Sequence, residues 1–600
     1  MKTKIATLAI VLAVSAFPCS VQAEESESYE LKPNLVVTPS RRVESLSESL
    51  AAVSLLTRED IEQSAAEDLS DLLRTLAGVD VVRSGGPGSQ VSIFLRGSNS
   101  NHVLVLIDGV RASSSNTGAY AWEQLPLNQI ERVEVVRGPR GSLYGSDAIG
   151  GVIHIITRSA TSPYARVTAG SFGTAEFEGG LGYEGDNTRI SINAGYRDVD
   201  GFSAQNPKGF SYDPDDDGFK SANLGIKGST TMGDKQLSYS LLALENESEF
   251  DQGVSETSQS IAALGFLGSL SPSWDYQVLA GYTNEELVSD FEFYASGFDS
   301  DRLQLAWQNQ YDAGTAGAFS FGLDWFNENG KSLYSWDQSR RNTGLYASWD
   351  QYFGRLHTQL GGRWDDNSRF GSQFTGQAAF GFEIKESWQI MASYGSAFRG
   401  PNLNEQYSPG WGGLFAGNPD LDPESSTSGE LGLRWQHSQQ GTLSVSAYRT
   451  EVEDLIAFNG QAFQAINIKE ARLKGLEIDY RYLRTNWDFT ANATLQDAED
   501  SDSGEPLLRR PDEKAFVSLD RRFNNGSWLG LEWVYTGDRY DFGGILLDSY
   551  QLINLRAGWQ FTPDWRAELR GENLADETYE PAYGFNPAGR SWFISLAWIP

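Results

Sequence analysis

The densest run of side chains able to do chemistry is Asp213-Pro214-Asp215-Asp216-Asp217-Gly218. Clustered carboxylate oxygens are the ligands that a hard divalent cation such as calcium takes. The run begins like a helix–loop–helix calcium loop, but its twelfth position is Leu224, where a bidentate glutamate is required. That motif is excluded, which leaves a solvated acidic loop or an unrelated calcium cage. The other chemistry-bearing residues do not assemble into a site. His102, His154, His357 and His437 lie far apart without metal-ligand spacing, and the only cysteine is Cys19. No Gly-x-Ser-x-Gly elbow sits between a strand and a helix, so the sequence predicts no enzyme.

Targeting and charge narrow the class further. Lys2 and Lys4 precede an apolar run from Ile5 to Phe17, and Val21-Gln22-Ala23 suits signal cleavage, so residues 1–23 read as a secretory leader. Phe17-Pro18-Cys19 lacks the small residues that precede a lipid-modified cysteine, so the mature chain would carry no thiol. The formal charge of -33, made more negative by two when the leader leaves, argues against nucleic acid, which calls for basic surface. After the leader no run reaches the ~18 apolar residues of a membrane helix. Membrane strands are different, because lipid-facing and lumen-facing residues alternate and the average looks polar.

Residues 24–45 read as a polar tail with a β-prone patch, Asn34-Leu35-Val36-Val37-Thr38-Pro39. Residues 46–158 read as a small α+β domain. Thr57 caps a helical stretch, and a second runs from Asp68 to Leu76 with Leu69, Leu72, Leu73 and Leu76 on one face. A strand begins at Val79, two further apolar strands cover Val91–Gly97 and His102–Gly109, and His102 is expected to be structural. The stretch Val133 to Thr157 holds two β-branched runs around Gly138, Gly141, Gly145, Gly150 and Gly151, so two strands enclose a glycine-shaped turn. About four strands and two helices result.

From residue 159 onward the period becomes two. Ile190, Ile192, Ala194 and Tyr196 share one face and Arg189, Ser191, Asn193 and Arg197 the other. Near the end Ile553, Leu555, Ala557, Trp559 and Phe561 alternate with Asn554, Arg556 and Gln560. Residues 159–600 have room for about 22 strands, the number in plugged transporter barrels, with 17 Trp, 25 Tyr and 31 Phe to form interfacial girdles. The predicted fold is a transmembrane β-barrel with an N-terminal α+β plug inside it.

Val133–Thr157, read with FLRGSNSNHVLVLIDGVR upstream, closely resembles the end of the plug domain of TonB-dependent outer-membrane receptors. The cobalamin (vitamin B12) receptors of that family are the most similar. The likeness extends through Asp215-Asp216-Asp217-Gly218-Phe219, Tyr448 to Ile456, Pro506-Leu507-Leu508-Arg509-Arg510, and Asn573-Leu574-Ala575-Asp576 with Tyr583-Gly584-Phe585. It implies a monomeric barrel in outer-membrane lipid that imports cobalamin or a related corrinoid; a ferric siderophore is the alternative solute. It implies that Asn34 to Pro39 are a TonB box, a segment that pairs edge-on with the periplasmic protein TonB. It also implies ligand contacts at Gln90, Ser92, Asn99, Asn116, Thr117 and Arg509. Calcium ligands would be Asp213, Asp215, Asp217, Phe250 through its carbonyl, and Asp251. Two family carboxylates fall on Ser203 and Glu256, and a family aromatic after Arg539-Tyr540-Asp541 falls on Gly544, with Phe542 nearby. A histidine-free stretch from Phe398 to Pro419 disfavours haem, the plug disfavours a passive porin, and the short tail leaves no room for a signalling domain.

Overall fold

The computed structural model describes residues 35–600 apart from 292–293, 334, 411–414, 439 and 460–463; the leader and Asn34 lie outside the described residues. From Tyr164–Gly170 to Ser591–Trp598, 22 antiparallel strands close into a barrel. The closing register pairs Ala165 with Trp598 and Gly170 with Phe593, so the barrel sheet closes on itself among the described residues. The period-two pattern sorts as expected: Ile192, Tyr196, Trp559 and Phe561 are exposed on the outer wall, while Ser191, Asn193, Asn554 and Arg556 are buried in the lumen. Strands reach 21 residues, at Gln464–Arg484, against the ~9–11 that cross a bilayer. Their ends therefore stand clear of the membrane. One end carries short turns such as Gly233-Asp234, and the other carries the long connections 203–216, 400–423 and 573–590. In outer-membrane barrels the longer loops are extracellular.

The plug fills the lumen. Its main sheet has the order Val53–Leu56, Ile130–Arg137, Gly151–Thr157, Val103–Ile107, Val110–Arg111, with Gly151–Thr157 and Val103–Ile107 parallel. Val79–Arg83 pairs separately with Val91–Leu95. Helices Arg58–Glu62 and Leu69–Arg74 form where expected. Thr57 and Asp60 make a reciprocal capping box at the first, and the Asp68 carboxylate caps the second. There are more elements than the four strands and two helices expected. Val110–Arg111 is too short to show a period, and the turn after Arg140 winds into a single helical turn, Gly141–Tyr144.

One continuous apolar core runs from Leu69, Leu72 and Leu73 through Ile93, Val105, Val133 and Ile153 to Leu242, Leu244 and Ile261 of the wall. Those three wall residues break the polar-lumen rule because the plug sheet seals against them. Two glycines make the fold of the Val133–Thr157 stretch possible. Gly151 has φ +150° and an added Cβ would lie 2.1 Å from the Val136 carbonyl oxygen; at Gly141 it would lie 2.8 Å from Cα of Ala397 in the wall. The first lets two plug strands pair, and the second lets the plug touch the barrel backbone.

Candidate functional site

Three sets of residues could serve a transport cycle: the N-terminal segment, the plug-to-wall ion network, and the extracellular apex. At the first, Leu35–Val36 pairs antiparallel with Glu44–Ser45, and Val36 and Thr38 are fully buried. A single carboxylate oxygen, Glu134 Oε2, accepts the main-chain N–H of Val37 at 3.0 Å and of Thr38 at 2.9 Å, and the Thr38 hydroxyl at 2.6 Å. Tyr144 donates its hydroxyl to the Thr38 carbonyl, and Arg132 donates to the Leu35 carbonyl. His154 completes the cradle: Gly109 N–H donates to its Nε2, so its proton lies on Nδ1, 3.1 Å from the Thr38 hydroxyl oxygen. Burial pushes the imidazole below its usual value, which keeps the ring neutral. Downstream, Arg41 lies between the rings of Tyr144 and Tyr346 and donates to Asp324 of the wall, while Gln308 and Gln310 donate to its carbonyl.

Glu134 therefore holds the segment that the sequence reading offers to a partner strand. Glu134→Ala deletes an acceptor of three charge-assisted bonds, each worth ~1.5–3 kcal/mol. The expected outcome is faster proteolysis at residues 35–42 with the rest of the plug still protected. Unchanged cleavage rates would show that the carboxylate holds nothing.

The second set joins plug to wall. Arg96 sits at φ 55° before Gly97, at the end of Val91–Leu95, and this turn aims its guanidinium outward. It donates to Glu477 through Nε and Nη2, at 2.9 Å each, and to Glu430 at 2.9 Å, while stacking 4.4 Å over Tyr448. Arg137 adds a pairing to Glu477 at 3.5 Å. Nearby, Glu424 accepts from Arg399 at 2.6 Å and pairs with His102 Nε2 at 2.7 Å, so His102 has the structural role expected of it. None of these acids stood out in the sequence. The available signal was an acidic residue at a lumen-facing strand position with no cation beside it on its own strand.

At the extracellular apex the expected ligand contacts divide. Gln90 and Thr117 are exposed, and Ser92 and Asn99 half-buried. Asn99 accepts from Arg510, whose guanidinium lies 3.8 Å over Phe94. Arg509 donates to Asp541 at 2.8 Å and lies 5.3 Å over Phe542, the aromatic that stands near the position filled by Gly544. Asn116 is fully buried, its amide donating to the Asp299 carbonyl of the wall and its own carbonyl accepting from Asn404. In this state it ties the plug to the barrel instead of facing the basin.

In the acidic loop Asp251 lies at the tip after Phe250 and accepts the Asp213 N–H at 2.8 Å; its Oδ2 is buried without a partner. Asp217 accepts the Ala204 N–H, and its value is pushed up to about 6 by burial and by Asp251, Asp215 and Glu249. The Ser203 hydroxyl donates to the Asp213 carbonyl, and exposed Glu256 is paired across strands with Glu247. Among the described residues no three acidic side chains converge closely enough to enclose an ion.

Residues 177–574 match the family model described as TonB dependent receptor-like, beta-barrel, and residues 45–152 match that of the TonB-dependent Receptor Plug Domain. The chain belongs to the TonB-dependent receptor family. It is accordingly an outer-membrane protein of a family of transporters, and its short turns face the periplasm. Solved receptors share the fold. The siderophore receptor PirA from Acinetobacter baumannii is 18% identical, with a TM-score of 0.79, covering 91% of this chain and 98% of that one. A variant of the ferric enterobactin receptor PfeA from Pseudomonas aeruginosa is 17% identical, with a TM-score of 0.78 over 91% and 98%. The ferric-catecholate import receptor Fiu from E. coli K12 is 14% identical, with a TM-score of 0.79 over 94% and 99%.

Proposed function

We propose that this TonB-dependent receptor captures a large, scarce solute at the cell surface and imports it when TonB pulls on residues 34–39. The observation that carries this reading is the cradle around Thr38: a β-prone segment is held in the plug by main-chain hydrogen bonds that a competing strand can displace, taking over those along one of its edges. Two solute classes follow from different evidence. The solved receptors of the same fold are described as siderophore and ferric-catecholate receptors, which favours a ferric siderophore. The resemblance of Arg509, Tyr583-Gly584-Phe585 and the acidic loop favours a corrinoid. The loops at the extracellular end are richer in Asp and Glu than in Lys and Arg, which suits a neutral corrinoid better than a polyanionic iron complex. Equilibrium binding of a panel of corrinoids, ferric siderophores and haem to the purified receptor separates the two. Equal, weak binding of every member would discard the capture reading.

The donor chemistry of the acidic loop suits calcium, on the strength of the orphaned Asp251 oxygen and the crowding that raises Asp217. Asp213, Asp215, Asp217, Asp251 and the Phe250 carbonyl would hold the ion, which would cross-link two loops before the solute arrives. Solute and calcium then strengthen each other's binding by ~1–3 kcal/mol. The pH dependence has a definite sign. With its value raised to about 6, Asp217 costs the folded state progressively more as pH rises from the ordinary carboxylate range to about 6; the cost is fully present above that value, where a bound cation removes it. Calcium is therefore expected to raise the melting temperature at neutral pH and to have little effect at pH ~5. An equal shift at both pH values, or none at either, returns the segment to a solvated loop.

A further inference from the structure

His154 stands where the N-terminal segment, the plug sheet and the Asp108–Gly109 turn meet. It lies on Gly151–Thr157, directly opposite Glu134 on one neighbouring strand and Leu106 on the other. Residues directly opposite on antiparallel strands share a sheet face with Cβ atoms ~4.5–5.5 Å apart. The imidazole and the Glu134 carboxylate are therefore side by side under the segment. The ring is engaged at both ends while the segment is in place: Nδ1 donates toward the Thr38 hydroxyl oxygen at 3.1 Å, and Nε2 accepts the Gly109 N–H at 3.1 Å. A proton on Nε2 would set donor against donor across that second contact.

The charged groups that face the ring are Glu134 and Arg132 on the neighbouring strand, Asp108 in the turn and Lys227 on the wall. The segment brings the uncharged Thr38 to it, while Arg41, three residues on, is bound to Asp324. Asp108 is fully engaged, by Lys227 at 2.7 Å and by the main-chain N–H and hydroxyl of Thr157. Glu134 differs, because most of its partners belong to the segment. The N–H groups of Val37 and Thr38 and the Thr38 hydroxyl all leave with it, and Arg132 remains. A buried carboxylate stripped of three donors needs a proton or a nearby cation in their place. The imidazole beside it, freed of Thr38, becomes that cation by taking up a proton.

We propose that the N-terminal segment is held by a proton-linked clasp, in which His154 takes up a proton as Thr38 leaves Glu134, so that acid in the periplasm favours release of the segment. The clasp is a property of this chain; that TonB makes use of it rests on the import reading. The sign follows from the two states. With the segment in place, burial holds the ring below its usual value and neutral. In the released state the bared carboxylate and entering water favour the imidazolium, so the released state binds the proton more tightly. The hold is complete above the ordinary imidazole range and weakens as pH falls through it, by up to about tenfold per pH unit for one proton.

The test places a nitroxide on Leu35→Cys in the purified mature receptor and reads the ratio of mobile to immobile label. That ratio is expected to rise about tenfold as the pH falls from ~7.5 to ~5.5. His154→Gln keeps an amide that donates and accepts but takes no proton, and its ratio should change by less than about twofold over the same range. The rival titrating group is Glu44, which burial raises and whose carboxylate accepts the Ser40 hydroxyl beside the Leu35–Val36 ladder. An acid response that survives in His154→Gln overturns the clasp, and passes to Glu44 if Glu44→Gln abolishes it. A wild-type ratio that ignores pH overturns the clasp as well. A second measurement decides the case in which His154→Gln loosens the segment at every pH. The imidazole of His154, one of four histidines, is titrated by NMR in the intact receptor and in a variant lacking residues 24–40. Titration at higher pH in the shortened chain supports the proton link, and the same midpoint in both overturns it. Both measurements are made without TonB, so their failure leaves the import reading standing. An acid response in a receptor whose segment the periplasmic domain of TonB never engages removes the import reading and leaves the clasp.

Discussion

Val36→Pro is expected to reduce energy-coupled uptake to background while solute binding at the cell surface stays within about twofold of wild type. Proline removes the main-chain N–H of residue 36 and fixes its φ, so the residue no longer serves as a pairing position in an added strand. Val36 is fully buried and faces Glu44 across a two-residue ladder in the receptor at rest, so the substitution also loosens that ladder. The two effects differ in readout. Loosening alone exposes the segment to protease, whereas loss of strand addition stops uptake even with the segment free. Glu134→Ala supplies the comparison, since it frees the same segment and keeps every N–H. Uptake retained in Glu134→Ala and lost in Val36→Pro identifies the segment as the strand that TonB takes. Normal uptake in Val36→Pro would remove that assignment.

The barrel was legible in the sequence because its physics is local. Each strand advertises itself by alternation, and Ile553 to Phe561 face the outside as their spacing required. The helix starts at Thr57 and Asp68 were equally local, since a cap is a side chain bonded to N–H groups two or three residues on. What could not be read was every contact between plug and wall. Arg96 and Glu477 are 381 positions apart, and nothing in either neighbourhood names the other. Asn116 illustrates the same limit from the opposite side: a loop asparagine reads as available to a ligand until the wall strand that takes its amide is placed beside it.

Arg96→Ala is expected to loosen the plug without opening the barrel. The guanidinium lies among Glu430, Glu477 and the Tyr448 ring with its side chain 3% exposed. Truncation leaves Glu430 without its plug partner and Glu477 with the longer contact to Arg137 and the hydroxyl of Ser446. An uncompensated buried charge costs ~3–5 kcal/mol, most of it desolvation that the lost partner no longer offsets. The barrel does not bear that cost, because its ladder closes through Tyr164–Gly170 and Ser591–Trp598 independently of the plug. Hydrogen exchange should therefore speed up in Val79–Arg83 and Val91–Leu95 and stay slow in the wall, and cells should admit large antibiotics that the intact receptor excludes. Arg96→Met combined with Glu430→Gln and Glu477→Met removes charge on both sides, and a buried pair replaced by apolar groups of similar volume is often neutral in stability. That combination should restore slow exchange and the permeability barrier. If Arg96→Ala leaves exchange in both plug strands at the wild-type rate, the apolar core that joins Leu69, Ile93 and Val133 to Leu242 and Ile261 holds the plug alone, and the ion network serves only to set its orientation.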